Sequence, residues 1–137
     1  MTTTLDTGIS NARNVNSYLF GSGTIAKLTS LLLERRKNKK KQVVYLVDEY
    51  FGANSSALGM LSPEPEDQLI YVSTRDEPTT QSIDQLTEKI NGSSGKEICA
   101  VVGIGGGITL DTAKAVSNLL TNGGFAADYQ GWDLVRI

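Results

Sequence analysis

The chain contains no histidine. That absence excludes Ser-His and Cys-His nucleophile pairs and zinc sites built on imidazole. The single cysteine, Cys99, has no partner for an intrachain disulfide; it lies in an apolar run and reads as a small core residue, which fits a reducing cytoplasm. No stretch approaches the roughly 20 apolar residues of a membrane span. The amino-terminal residues 1–16 are polar, lack the apolar region of a signal peptide, and are expected to form a flexible segment. Neither sign of charge dominates: 13 Lys and Arg against 15 Asp and Glu give a net charge of −2, so there is no global basic excess to hold nucleic acid or a membrane surface. With 137 residues, 39% of them hydrophobic, the chain supports one domain with a real core.

What is present is organised around Val101-Val102-Gly103-Ile104-Gly105-Gly106-Gly107-Ile108-Thr109-Leu110-Asp111-Thr112-Ala113-Lys114. Residues 98–102 read as a short buried strand, and Ala113, Val116, Leu119 and Leu120 then recur at helical spacing. Between them, Gly105, Gly106 and Gly107 let the main chain adopt dihedrals closed to other residues and let an anion approach without meeting a Cβ. The unpaired N–H groups opening the helix and its macrodipole favour negative charge in the same space, so a diphosphate would sit on residues 105–109. Two standard phosphate motifs are not met. G-x-G-x-x-G from Gly103 needs glycine where Ile108 stands, and G-x-x-x-x-G-K-[ST] is absent. A tight strand-to-helix connection with no ligand is the competing reading of these residues.

Ahead of this motif, residues 17–20 are a short strand candidate, and Gly21-Ser22-Gly23 feeds Thr24 as the N-cap of a helix running to about Arg36, with Ile25, Leu28, Leu31 and Leu32 as its buried stripe. The run Arg35-Arg36-Lys37-Asn38-Lys39-Lys40-Lys41 holds six of the 13 basic residues and reads as a solvated helix end, with an anionic-partner patch as the alternative. Residues 43–47 form an uninterrupted apolar and aromatic run, the mark of a strand covered on both faces, and Asp48 closes it. An acid at that place either accepts hydrogen bonds from an adenosine ribose, favouring NAD over NADP, or begins a solvated turn. Residues 51–61 read as a weak helix interrupted by Gly52 and Gly59, 62–67 as an acidic loop with two prolines, and 68–74 as a strand centred on Leu69-Ile70-Tyr71-Val72. Pro78 fits the first turn of a helix whose face carries Ile83, Leu86 and Ile90 and which stops at residues 91–95.

The alternation of strand and helix predicts an α/β fold, a Rossmann-like parallel sheet of four strands with helices on both faces and right-handed crossovers. Ligands of such sheets bind beyond the carboxyl ends of the strands. Asp48, the turn at 74–78 and residues 103–109 all leave strands at that end.

The string Gly-Gly-Gly-x-x-x-Asp-x-x-Lys at 105–114 resembles the glycine-rich segment of the iron-containing (group III) alcohol dehydrogenases, whose superfamily also holds glycerol dehydrogenase and dehydroquinate synthase. Tyr18-Leu19-Phe20-Gly21-Ser22-Gly23, residues 44–48 and Glu77-Pro78-Thr79 are similar to further segments of that family in order and spacing. The resemblance implies that residues 17–137 are the NAD(P)-binding domain of a two-domain enzyme. In it Gly105, Gly106, Gly107 and Ile108 would hold the pyrophosphate, Asp48 the adenosine ribose, and Glu77, Pro78 and Thr79 the border of the adenine pocket. Asp111 and Lys114, three apart on one helical turn, would face the nicotinamide end, or else pair only with each other. The divalent metal, iron or zinc, would be held by an Asp and histidines of a helical carboxy-terminal domain, which this chain lacks. The resemblance thus implies that the chain carries no catalytic or metal residue and is a fragment of a two-domain homodimeric enzyme acting on an alcohol or sugar acid. Leu119-Leu120-Thr121-Asn122-Gly123-Gly124 with Asp128-Tyr129-Gln130-Gly131-Trp132-Asp133-Leu134 looks most like the sugar-acid branch containing 3-deoxy-manno-octulosonate 8-oxidase. Two other readings stand beside this one: a non-catalytic nucleotide-binding or dimerisation module in which residues 17–20 pair across a dimer edge, and a relative acting on a phosphorylated sugar.

Overall fold

The computed structural model describes residues 18–37, 41–53, 55–93 and 95–130. The segment 1–16, Ser17, residues 38–40 of the basic run and Gly131-Trp132-Asp133-Leu134 lie outside the described residues. Strand β1 (Gln42–Asp48) is the middle of a parallel three-stranded sheet, flanked by β2 (Gln68–Val72) and β3 (Ile98–Ile104) in the order β2-β1-β3. Its apolar run is buried on both faces because successive side chains alternate. Val44 and Leu46 point to one layer, with Ile83 and Ile90 of α3 (Thr80–Gly92) and Ala113, Val116 and Leu119 of α4 (Gly107–Asn122). Val43, Tyr45 and Val47 point to the other, with Leu32 of α1 (Leu28–Arg35) and Leu61. Each of these fully buried aliphatic side chains contributes roughly 1.5–3 kcal/mol of apolar burial. The fold is therefore the expected α/β sheet with helices on both faces. No helix among the described residues is long and apolar enough to cross a membrane.

Several local expectations are corrected. Among the described residues the sheet has three strands: Tyr18 makes an isolated bridge, and Leu19 and Phe20 are irregular. Thr24 is not the N-cap of the first helix. Gly23, in the left-handed region at φ 76°, holds that place, and a 3₁₀ turn Thr24–Lys27 leads into α1 while the Thr24 hydroxyl donates to the Gly21 carbonyl at 3.0 Å. Leu31 leaves the buried stripe and stands 52% exposed. The weak helix at 51–61 is two short pieces, α2 (Tyr50–Ala53) and a 3₁₀ turn Ser55–Leu58, with Leu61 buried beyond them.

Pro78 precedes α3 instead of entering it, because Thr79 is a better cap. The Thr79 hydroxyl accepts the Ser82 N–H at 3.1 Å and the Ser82 hydroxyl accepts the Thr79 N–H at 2.9 Å, a reciprocal box that ties down donors with no helical partner. Strand β3 runs two residues past Val102, and α4 begins at Gly107, so the turn between them is only Gly105-Gly106. Arg36, read from the sequence as part of a solvated face, is buried.

Candidate functional site

The three strands are parallel, so their carboxyl ends share one edge, and the pairing of Asp48 with Val72 and of Val47 with Ile104 sets Asp48 between the other two exits. Asp48 is half-buried. Its Oδ1 accepts the Tyr50 N–H at 3.0 Å, which closes the turn out of β1. From β3, Gly105 folds back over it. A Cβ at Gly105 would stand 2.8 Å from Asp48 Cβ and 2.8 Å from Thr109 Oγ1, and the residue sits at φ 153°, where an L side chain is strained. Only glycine brings the end of β3, the end of β1 and the first turn of α4 this close.

Beyond this contact the surface opens. A Cβ at Gly106 or Gly107 would meet nothing within 4 Å. Gly106 is the N-cap of α4 and no side chain caps the helix; the first main-chain bond is Leu110 N–H to the Gly106 carbonyl at 3.0 Å. The N–H groups of Gly107, Ile108 and Thr109 therefore precede the helical ladder and point out of a 16-residue helix at its positive end. This geometry is what a diphosphate requires.

Glu77, Pro78 and Thr79 line a cavity of about 390 Å³ whose opposite wall is Ile108 and Thr112 of α4 and whose floor is Ile70 and Val72 of β2. Six of the residues singled out in the sequence, Gly105, Gly106, Gly107, Glu77, Pro78 and Thr79, thus meet Ile108 and Asp48 along one edge. Asp111 and Lys114 do not join them. Both are exposed, 3.6 Å apart as an i,i+3 pair, and Lys114 borders a separate hollow with Gly103 and Leu110 on the outer side of α4.

The model of the iron-containing alcohol dehydrogenases matches residues 16–136. This chain belongs to the iron-containing alcohol dehydrogenase family. It is 36% identical over 110 residues to a long-chain primary alcohol dehydrogenase of Thermoanaerobacter ethanolicus, covering 77% of this chain and 27% of that protein. It is 29% identical over 119 residues to alcohol dehydrogenase 4 of Schizosaccharomyces pombe, covering 84% of this chain and 26% of that protein. The chain spans about a quarter of the length of these relatives.

The two groups that the family implies fare differently against this chain's residues. For a dinucleotide the fit is good: open glycines, uncapped N–H groups, and one buried polar atom, Thr109 Oγ1, with no hydrogen-bond partner. For a metal it is not. The chain has no histidine, and among the described residues no three Cys, Asp or Glu side chains are grouped to hold an ion. Sequence reasoning put the Thr109 main chain in the turn but passed over its side chain, which is fully buried beneath Gly105, and passed over Thr112, whose hydroxyl donates to the Ile108 carbonyl at 2.8 Å on the cavity wall. In a pattern of spacings both read as ordinary helix threonines.

Proposed function

We propose that this chain is the nucleotide-binding portion of an NAD(P)-linked alcohol dehydrogenase, in which hydride passes between a primary hydroxyl and a nicotinamide. The observation that carries the reading is the cluster of uncapped N–H groups at Gly107, Ile108 and Thr109, set beside Asp48 with open space over Gly106 and Gly107. When bound, the nicotinamide supplies the hydride acceptor. The chain's own work is binding and orientation. The glycine turn and the first turn of α4 hold the diphosphate, Asp48 accepts from the adenosine ribose hydroxyls and repels a 2′-phosphate, and Glu77, Pro78 and Thr79 border the adenine in the 390 Å³ cavity. The exposed Asp111 and Lys114 pair is assigned to the rim toward the nicotinamide. The metal ligands belong to a part of the protein that these residues do not include, so no step of the reaction is assigned to a metal here. A sugar acid bearing a primary hydroxyl, such as C8 of 3-deoxy-manno-octulosonate, is our proposed substrate class, resting on the distal segment that the 3₁₀ turn Ala126–Tyr129 anchors to α3 through Ala126 N–H and Asp84 Oδ1 at 2.7 Å. We further propose a homodimer.

A second reading is a module that binds a nucleotide without catalysis, which the open glycine turn would serve equally well. Calorimetric titration with NAD and NADP tests what both share: saturable binding, tighter for NAD. No heat from either ligand at millimolar concentration removes both readings. Binding of NAD by a longer form of the protein that fails to oxidise any primary alcohol leaves only the second.

A further inference from the structure

Thr109 holds an anomaly inside the glycine turn. Its side chain is wholly buried, yet Oγ1 has no hydrogen-bond partner, a state that destabilises the fold when nothing compensates. Other helix threonines in this chain show where such a hydroxyl goes. Thr87 donates to the Ile83 carbonyl at 2.8 Å, Thr112 to Ile108 at 2.8 Å and Thr121 to Ser117 at 2.9 Å, each one turn back along the helix. For Thr109 the equivalent acceptor is the carbonyl of Gly105. That residue lies outside the helix at φ 153°, and its carbonyl does not reach the hydroxyl although the Cβ position of Gly105 is 2.8 Å from Thr109 Oγ1.

We propose that Thr109 is a positioning residue that latches the Gly105–Gly106 peptide in a second orientation when a diphosphate binds, an inference that rests on the dinucleotide reading above. Rotating that one peptide brings the Gly105 carbonyl onto the Thr109 hydroxyl and turns the Gly106 N–H outward, adding a donor to those of Gly107, Ile108 and Thr109. On its Gly106 side the peptide has room to rotate. The rotation carries φ of Gly106 from −85° to positive values, which glycine enters freely, and a Cβ-sized volume around Gly106 is empty. The ligand binds the rotated form better because that form presents one more N–H, and the hydroxyl favours the same form because only there is it partnered. The orphaned hydroxyl in the described form is then the other half of a two-state turn.

The test uses ADP as the probe, titrated calorimetrically into the full chain and into Thr109→Val and Thr109→Ser, with thermal unfolding of each protein without ligand. Thr109→Val keeps the shape and removes the hydroxyl. It should bind ADP about tenfold more weakly, one hydrogen bond's worth, and unfold without ligand no earlier than the wild type. Thr109→Ser should restore affinity to within about twofold. The Gly106 amide resonance should move on ADP binding in the wild type and in Thr109→Ser, and much less in Thr109→Val. Equal ADP affinity in wild type and Thr109→Val overturns the latch while leaving the dinucleotide site standing. Earlier unfolding of ligand-free Thr109→Val also overturns it, because the hydroxyl would then be partnered before ligand arrives. Wild-type protein that takes up no ADP overturns the latch and the site together.

Discussion

The Arg36 guanidinium grips the Asp67 carboxylate through two parallel hydrogen bonds, Nη1 to Oδ1 at 2.9 Å and Nη2 to Oδ2 at 2.5 Å. The same carboxylate accepts the Val43 N–H at 2.8 Å and the Glu64 N–H at 2.8 Å, and its side chain is completely shielded from solvent. One residue therefore ties the end of α1 to the entry of the central strand and to the loop ahead of β2. Removing the carboxylate leaves a guanidinium largely out of water and two N–H groups without acceptors. Asp67→Ala should lose about 3–5 kcal/mol of stability, read as a lower urea midpoint. An unchanged midpoint would mean that the pair decorates the fold without pinning it.

The pH dependence of stability follows from the same group. Burial by itself pushes the Asp67 carboxyl up, but the hydrogen bonds from Arg36 and from the Val43 and Glu64 N–H groups outweigh it and hold the carboxyl below its ordinary value. The folded chain then takes up a proton at Asp67 less readily than the unfolded chain does. Its contribution is complete above the unfolded value of about 4 and is lost as pH falls from there through the lowered folded value. Urea midpoints should hold steady from neutrality to about pH 5 and drop below it, with a shallower drop in Asp67→Ala. Parallel profiles for the two proteins would contradict the assignment.

The central strand was legible in the sequence because burial on both faces writes itself as an unbroken apolar run, and 43–47 is one. The turn between β3 and α4 was legible because three consecutive glycines stand between an apolar run and a helical period. Arg36 was not. Its partner Asp67 is 31 residues away, and nothing local separates a paired arginine from its solvated neighbours in a basic run. Thr109 was hidden for a related reason: its burial depends on Gly105 folding back from β3, which no spacing encodes. Pro78 was misplaced by two positions because the pattern favoured proline at the helix start, while the hydroxyls of Thr79 and Ser82 fixed the boundary after it, with Thr80 as the first helical residue.

Gly103 faces α4 so closely that a Cβ there would stand 2.8 Å from Ala113 Cβ and 3.4 Å from Leu110 Cδ2. Gly103→Ala should push the first two turns of α4 off the sheet, at about 1–3 kcal/mol, and should weaken the proposed nucleotide binding because the same turns carry the uncapped N–H groups. Adding Ala113→Gly to Gly103→Ala should recover part of both losses. If the single variant matches the wild type in unfolding temperature, α4 is free to retreat and the close approach is not what sets its position.

Neighbouring glycines of the turn should separate stability from binding. Gly105 combines φ 153° with a Cβ position 2.8 Å from both Asp48 Cβ and Thr109 Oγ1, so Gly105→Ala must move the ends of two strands as well as adopt a strained backbone. About 1–3 kcal/mol of stability should go with it, along with nucleotide binding. Gly106 is different in both respects: φ is −85° and a Cβ would meet nothing within 4 Å. Gly106→Ala should unfold at the wild-type temperature, yet its methyl group would occupy the space in which we propose the diphosphate lies and should weaken ADP by about tenfold or more. Thermal unfolding and calorimetry on the two variants check this. A Gly106→Ala protein that binds ADP like the wild type would move the diphosphate away from this turn, whatever the stability of Gly105→Ala proves to be.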